Sequence, residues 1–251
     1  MASHIRVGEH FRFGHTGRSM KHVLQISFLM VFLAALAAVA IGGNLESGLQ
    51  AAESGDYKKA HKLWLLEAEQ GDASAQGYLG ILYAKGQGVV QDDQEAAKWF
   101  RLAAEQGDAT AQTNLGALYA KGQGIPQDDT EAAKWFHLAA VQGDAKAQSY
   151  LGVLYARGRG VAQDDKQAAK WFHLAAMQGE VKAQFSLGVM YDVGRGVGRN
   201  YIVACAWYAL AAENGDQTAQ NFRNATRKKM TDDEVEMSQQ LAEQLRAEIG
   251  N

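Results

Sequence analysis

The chain has 251 residues, a formal charge of −3, 27 glycines and one proline. So small a net charge excludes nucleic acid as the main partner, and the single cysteine, Cys205, excludes an internal disulfide framework. One proline is also too few for the loops of an ordinary α/β enzyme.

The N-terminus differs from everything after it. Residues 1–22 carry Arg6, Arg12, Arg18 and Lys21 against one acid, Glu9. The 14 residues from Phe28 to Ile41 contain no polar side chain. A basic segment followed by a short apolar one reads as a signal peptide, and Ala38-Val39-Ala40 supplies the small-x-small pattern of a cleavage site. An uncleaved signal anchor is the competing reading, because a tilted span needs about 20 apolar residues. Met20-Lys21-His22 would itself start an ordinary signal peptide, so residues 1–19 are read as a product of start-codon choice. Either reading puts residues 1–41 at the membrane and exports the rest, to the periplasm or to the outer side of the inner membrane.

Residues 42–54 read as a linker and first helix, and residues 55–72 as a half-repeat. Four segments then align without a gap at a period of 36: 73–108, 109–144, 145–180 and 181–216. The first two agree at 27 of 36 positions. A divergent segment, 217–251, follows and reads as capping helices.

Within one unit, Ala75, Leu79, Leu82 and Tyr83 share one face of a predicted helix over Ala73–Lys85. Gly80 stands inside that helix, at a cost of about 1 kcal/mol relative to alanine, and Gly116, Gly152 and Gly188 repeat it. A repeated cost implies a repeated reason, namely close approach of the paired helix. Gly86-Gln87-Gly88 predicts a helix stop and a loop. Asp92 with Glu95, Asp128 with Glu131 and Asp164 with Gln167 stand in the capping-box relation. A second helix over Asp93–Gln106 follows, with Trp99 and Phe100 among alanines; Gly107 ends it and Asp108 caps the next unit. Each unit is a helix–loop–helix with one apolar face left over, which only a neighbour can cover. The units therefore stack into an all-α solenoid.

The pattern A-x-A-Q-x-x-L-G-x-L-Y-A-x-G-x-G-V-x-Q-D-x-x-x-A-x-K-W-F-x-x-A-A-x-Q-G-D resembles the Sel1-like repeat, a relative of the tetratricopeptide repeat. The tail KKMTDDEVEMSQQLAEQL resembles the closing helix of bacterial members. The resemblance implies a right-handed α-solenoid with a concave binding face and an adaptor or scaffold role, without naming a ligand. A cysteine-rich branch of the family is associated with β-lactam binding or hydrolysis, but its paired cysteines are missing here and that activity is not carried over.

Several features imitate chemistry. Gly86-x-Gly88, Gly122-x-Gly124, Gly158-x-Gly160 and Gly194-x-Gly196 suggest phosphate loops, but no strand precedes them and no Gly-Lys-Ser/Thr follows, so they are turn residues and no cofactor is expected. In Asp92-Asp93, Asp128-Asp129 and Asp164-Asp165 the first acid is a helix cap and the second a solvated helix start, so no metal is expected. His137 and His173 occupy a position that also accepts Arg101 and Ala209, and read as partly exposed. The ladder Trp99, Trp135, Trp171 and Trp207 is expected in the core, with Trp135→Ala costing about 3–5 kcal/mol. Cys205 replaces alanine and reads as a small buried residue. No nucleophile, base and orienting group stand outside the repeat lattice, so no catalytic residues are assigned.

A binding site is expected where the units differ. The second position of the unit holds Ser74, Thr110, Lys146 and Lys182; the fifth, Gly77, Thr113, Ser149 and Phe185. The sixth holds Tyr78, Asn114, Tyr150 and Ser186; the ninth, Ile81, Ala117, Val153 and Val189. Positions two, five and nine share a stripe on the first helix, which lines the concave groove in tetratricopeptide solenoids. The reading is a peptide groove that becomes basic and apolar toward Lys182 and Phe185. The function that follows is an exported scaffold or adaptor for other proteins in the bacterial envelope. It has no nucleic-acid partner and touches membrane only through an uncleaved N-terminus. The alternatives are an exported hydrolase with an unrecognised site and a structural spacer.

Sequencing the N-terminus of the protein from cells tests the export reading. A start just after Ala40 is expected for the cleaved form, and an intact membrane-bound chain for the anchor. An intact cytoplasmic chain would rule out both.

Overall fold

The structure is a computed structural model, and it describes residues 43–250. The basic segment and the whole apolar segment, residues 1–41, lie outside the described residues. Helix α1 covers residues 43–53. It is followed by α2 (Tyr57–Glu69), α3 (Ala73–Lys85), α4 (Asp93–Glu105), α5 (Ala109–Lys121) and α6 (Asp129–Val141). Then come α7 (Ala145–Arg157), α8 (Asp165–Met177), α9 (Val181–Val193), α10 (Tyr201–Glu213), α11 (Gln217–Arg227) and α12 (Asp232–Ile249). There is no strand among the described residues. From α2 to α11 each helix packs on the next, and α12 packs back on α10, so the described residues form an α-solenoid. Segment 55–72 is more than a half-repeat: α1 packs on it through Leu45, Leu49, Ala51 and Ala52 to complete a helix pair.

Capping follows the sequence closely, with one difference. Asp92, Asp128 and Asp164 each accept from two backbone N–H groups of the second helix. Glu95 and Glu131 do not reach back to complete a capping box; they pair instead with Lys98 and Lys134 one turn on. The full reciprocal box occurs at α12, between Thr231 and Glu234. The first helices stop at Gly86, Gly122, Gly158 and Gly194, all left-handed.

The glycine inside each first helix receives an aromatic ring. A Cβ on Gly116 would lie 2.9 Å from the ring of Phe136, and one on Gly152 2.8 Å from Phe172. Gly80 faces Phe100 and Gly188 faces Tyr208 in the same way. The close approach predicted from sequence is thus between a ring and a backbone. The rings are almost fully buried, Phe136 at 2% exposure. The tryptophans depart from expectation. Trp99, Trp135 and Trp171 are only half-buried, at the edge of neighbouring clusters, and Trp207 alone of the four is buried. The adjacent phenylalanine takes the notch, and Trp99, Trp135 and Trp171 are left partly buried against the neighbouring clusters.

Units join through three recurring contacts. The second glycine of each loop lies against the start of the previous unit's second helix: a Cβ on Gly124 would meet the carbonyl of Asp93, and one on Gly160 that of Asp129. A buried glutamine bridges two units. Gln112 donates to the Ala104 carbonyl at 3.0 Å and accepts from Gln142 at 2.8 Å, as Gln148 does with Ala140 and Gln178. Arg159 holds Asp129 at 2.7 Å, and Arg195 holds Asp165 at 2.8 Å. The second acid of these Asp-Asp pairs is therefore ion-paired across units, and each arginine keeps its carboxyl below the usual range by hydrogen bonding.

Phe136→Ala should cost about 3–5 kcal/mol, the range for a buried ring, while Trp135→Ala should cost clearly less. Urea denaturation of both variants checks the order. Equal losses would mean that the tryptophan, too, is a core residue.

Candidate functional site: the inner face of the array

The first helices α3 and α5 of neighbouring units touch, and no two second helices pack as closely among the described residues. The first helices are accordingly taken as the inner face that the repeat's resemblance to tetratricopeptide solenoids implies, and the second helices as the outer one. The variable positions named from sequence lie on the first helices, but the structure sorts them into three groups.

Ser74, Thr110, Lys146 and Lys182 are exposed at the N-terminal ends. Thr113 and Ser149, expected in the groove, are buried, and Thr113 Oγ1 donates to the Ala109 carbonyl at 3.0 Å. The Thr113 hydroxyl is thus satisfied on its own helix, and both small side chains sink between helices, so neither contributes to a surface. Gly77 is half-buried beside Asp108. Phe185, at the same position in the last unit, is too large to sink. It packs against Tyr208 at 5.8 Å and edge-on to Phe222 at 5.3 Å, so it belongs partly to the C-terminal core.

The sixth position decides the shape of the inner face. Tyr78 stacks on Trp64 at 4.7 Å and Tyr150 stacks on Phe136 at 4.9 Å. In both cases the tyrosine covers the buried ring of the preceding unit. Asn114 and Ser186 stand at this position in the other two units. Where Ser186 stands, no ring covers Phe172, and a cleft of about 470 Å³ opens. Its walls include Val153 of α7 and Phe185, Val189, Met190 and Val193 of α9, with Arg157 and Arg195 at the rim. Arg195 is committed to Asp165, while Arg157 is exposed and has no ionic partner among the described residues. Lys146 and Lys182 do not line this cleft. Arg157 and Val193 were not among the sequence candidates. Their position in the unit does vary, through Lys85, Lys121, Arg157 and Val193, so the signal was present.

The remaining candidates for chemistry resolve as structure. His137 and His173 are exposed and lie edge-on to the next unit's tryptophan, His137 to Trp171 at 6.0 Å and His173 to Trp207 at 6.1 Å. Cys205 is buried against Met230, and burial pushes its thiol up to about 11, far from a reactive thiolate. No group of three or more His, Cys, Asp or Glu side chains is placed to hold a metal ion among the described residues. No described helix is long and apolar enough to cross a membrane.

The Sel1 repeat matches residues 35–72, 73–108, 109–144, 145–180 and 181–216. The chain belongs to the Sel1 repeat family. The family's units begin before the half-repeat, in agreement with α1 completing the first pair. Among solved structures, a protective antigen present in uropathogenic Escherichia coli strains and displaying an SLR fold is 36% identical, with a TM-score of 0.78 over 83% of this chain. This chain spans only 46% of that one. A Sel1 repeat protein from Oxalobacter formigenes is 37% identical with a TM-score of 0.66, covering 71% of this chain and 74% of that one. No curated protein matches by sequence. Sel1 repeat proteins typically serve as protein-interaction scaffolds and are generally non-catalytic.

Phe185→Ala should lower the thermal midpoint, because it removes a ring from the Tyr208–Phe222 cluster, whereas Lys146→Ala with Lys182→Ala should leave it unchanged. Thermal melts followed by circular dichroism check this. An unaltered Phe185→Ala melt would mean that the ring is free to serve binding alone.

Proposed function

We propose that this Sel1 repeat protein is an exported, non-catalytic scaffold of the cell envelope, and that the cleft at Ser186 grips a segment of a partner protein. The basic-then-apolar residues 1–41 support export. The cleft supports the binding reading: at this point the inner face lacks the tyrosine that fills the same space at Tyr150. Its size suits one or two apolar side chains, and Arg157 suits a carboxylate beside them. The partner is thus an extended or helical segment with an apolar anchor and an adjacent acid. Arg157 sits on the rim, where a charge sets register and association rate more than affinity.

Ser186→Tyr tests this without unfolding the chain, since a tyrosine at the sixth position is native to α3 and α7. A photo-crosslinking amino acid at Val193, which is 60% exposed, should give a discrete protein adduct in cells. That adduct should fade in the Ser186→Tyr background and weaken with Arg157→Glu. Adducts of unchanged yield in both backgrounds would show that the cleft is not the site.

A further inference from the structure

The outer face carries a second, independent feature. Leu66, Leu102, Leu138 and Leu174 stand at the same position of successive second helices and are each 44–48% exposed. The fifth member, Leu210, is 3% exposed. The difference is α12. Leu241, Ala242 and Leu245 of α12 pack on Ala206 and Ala209 of α10, and Leu245 and Ile249 belong to the cluster that buries Leu210. Arg246 clamps Glu213 through both carboxylate oxygens, at 2.7 and 2.8 Å. The chain itself thus shows what covers this leucine: an amphipathic helix with apolar residues at i, i+4 and i+8.

Beside Leu102, Leu138 and Leu174 the outer face forms a groove. The groove at Leu174 has a volume of about 570 Å³ and an apolar floor of Leu187, Tyr191 and Val197. The groove at Leu138, of about 490 Å³, is built the same way from Leu151, Tyr155 and Val161. The rims differ from the covered unit in charge. Ala206 and Ala209 of α10 correspond to Lys170 and His173 in α8 and to Lys134 and His137 in α6. Lys134 is held by Glu131, and Asp165 is committed to Arg195. Lys166 and Lys170 have no acidic partner among the described residues. The groove at Leu174 is therefore the more basic, and it adjoins the existing helix interface, since Ile249 at the end of α12 reaches Gly179 after α8.

We propose that the outer grooves at Leu174 and Leu138 are docking sites for an acidic amphipathic helix of a partner protein, seated as α12 is seated on α10. The apolar stripe of such a helix meets the leucine and the groove floor. Its carboxylates meet Lys166 and Lys170 at the Leu174 groove, which gives a charge preference that α12 itself does not need.

The probe is a fluorescein-labelled helical peptide of about 18 residues, or about 27 Å. It carries Leu, Leu and Ile spaced as in Leu241, Leu245 and Ile249, with glutamates on the flanks, and is titrated into the full chain by anisotropy. Binding should fall roughly tenfold with Leu174→Glu, about the effect of losing one half-buried leucine contact. It should fall also with Lys166→Glu plus Lys170→Glu, with a flatter salt dependence. A lysine-flanked peptide should bind more weakly. Because Leu174 is exposed, its variants should melt like the parent, and Leu174→Ala provides a milder check should the glutamate disturb folding. Ser186→Tyr should leave peptide binding intact, and loss of binding there would put the peptide in the inner cleft and overturn the proposal. No binding, equal binding by Leu174→Glu, or no preference between glutamate and lysine flanks would overturn it too. So would sedimentation showing a dimer that Leu174→Glu dissociates, because the groove would then belong to a second copy.

Discussion

A ring seated in a glycine notch sets the geometry of each of the four aligned units. Phe100, Phe136, Phe172 and Tyr208 lie where the Cβ of any other residue at Gly80, Gly116, Gly152 or Gly188 would stand. A side chain there would force either the ring or the whole second helix outward, and packed interiors tolerate such overfilling poorly. The weak helix propensity of glycine is the cost of the notch, and the buried ring more than offsets it. Trp64 and Gly48 play the same part in the first pair, where the larger indole meets a glycine in a different register. Helix separation within the unit follows from this contact, and the stacking surface follows from the separation.

Between units, the joints are polar but buried, and they depend on that fixed spacing. A glutamine side chain can bridge a carbonyl of the preceding unit and an amide of its own only if both lie within reach, so Gln76, Gln112 and Gln148 act as rulers. The last unit shows what happens when one partner shortens. Asn214 replaces glutamine, bonds to the Leu210 carbonyl instead, and leaves Gln184 Oε1 without a partner among the described residues. Buried amides with unmet capacity are costly, and the irregularity falls where the array stops and α11 and α12 take over.

The two surfaces proposed for binding share an origin. Each is a place where what fills space beside one unit, a side chain on the inner face and helix α12 on the outer face, is absent beside another. On the inner face, Ser186 stands in for the tyrosine that elsewhere stacks on the preceding ring. On the outer face, the lysines and histidines of α6 and α8 stand where α10 has alanines and α12 has closed the gap. A repeat lattice makes such vacancies visible, because the filled version is present in the same molecule.

Most of the fold was legible in the sequence. A period of 36, glycine at the helix stops, aspartate at the caps and an alanine-rich second helix are local signals, set by backbone conformation and by the spacing of apolar residues, and the structure agrees with them. The candidate site was legible only in part. Some variable positions of the first helix line the proposed cleft, but exposure could not be read from variability: Thr113 and Ser149 vary and are buried, while Arg157 lines the cleft from a position that had not been singled out. The ladder of tryptophans misled for a similar reason. Two adjacent aromatics, Trp135 and Phe136, have equal claims on the core by composition, and only the three-dimensional notch at Gly116 chooses between them. The pairing of Asp129 with Arg159, 30 residues away, the reach of α12 over Leu210, and the cleft above Phe172 are likewise contacts between units. Their existence depends on how far one helix pair is displaced from the next, a distance that the stacked structure sets and that no single unit's sequence contains.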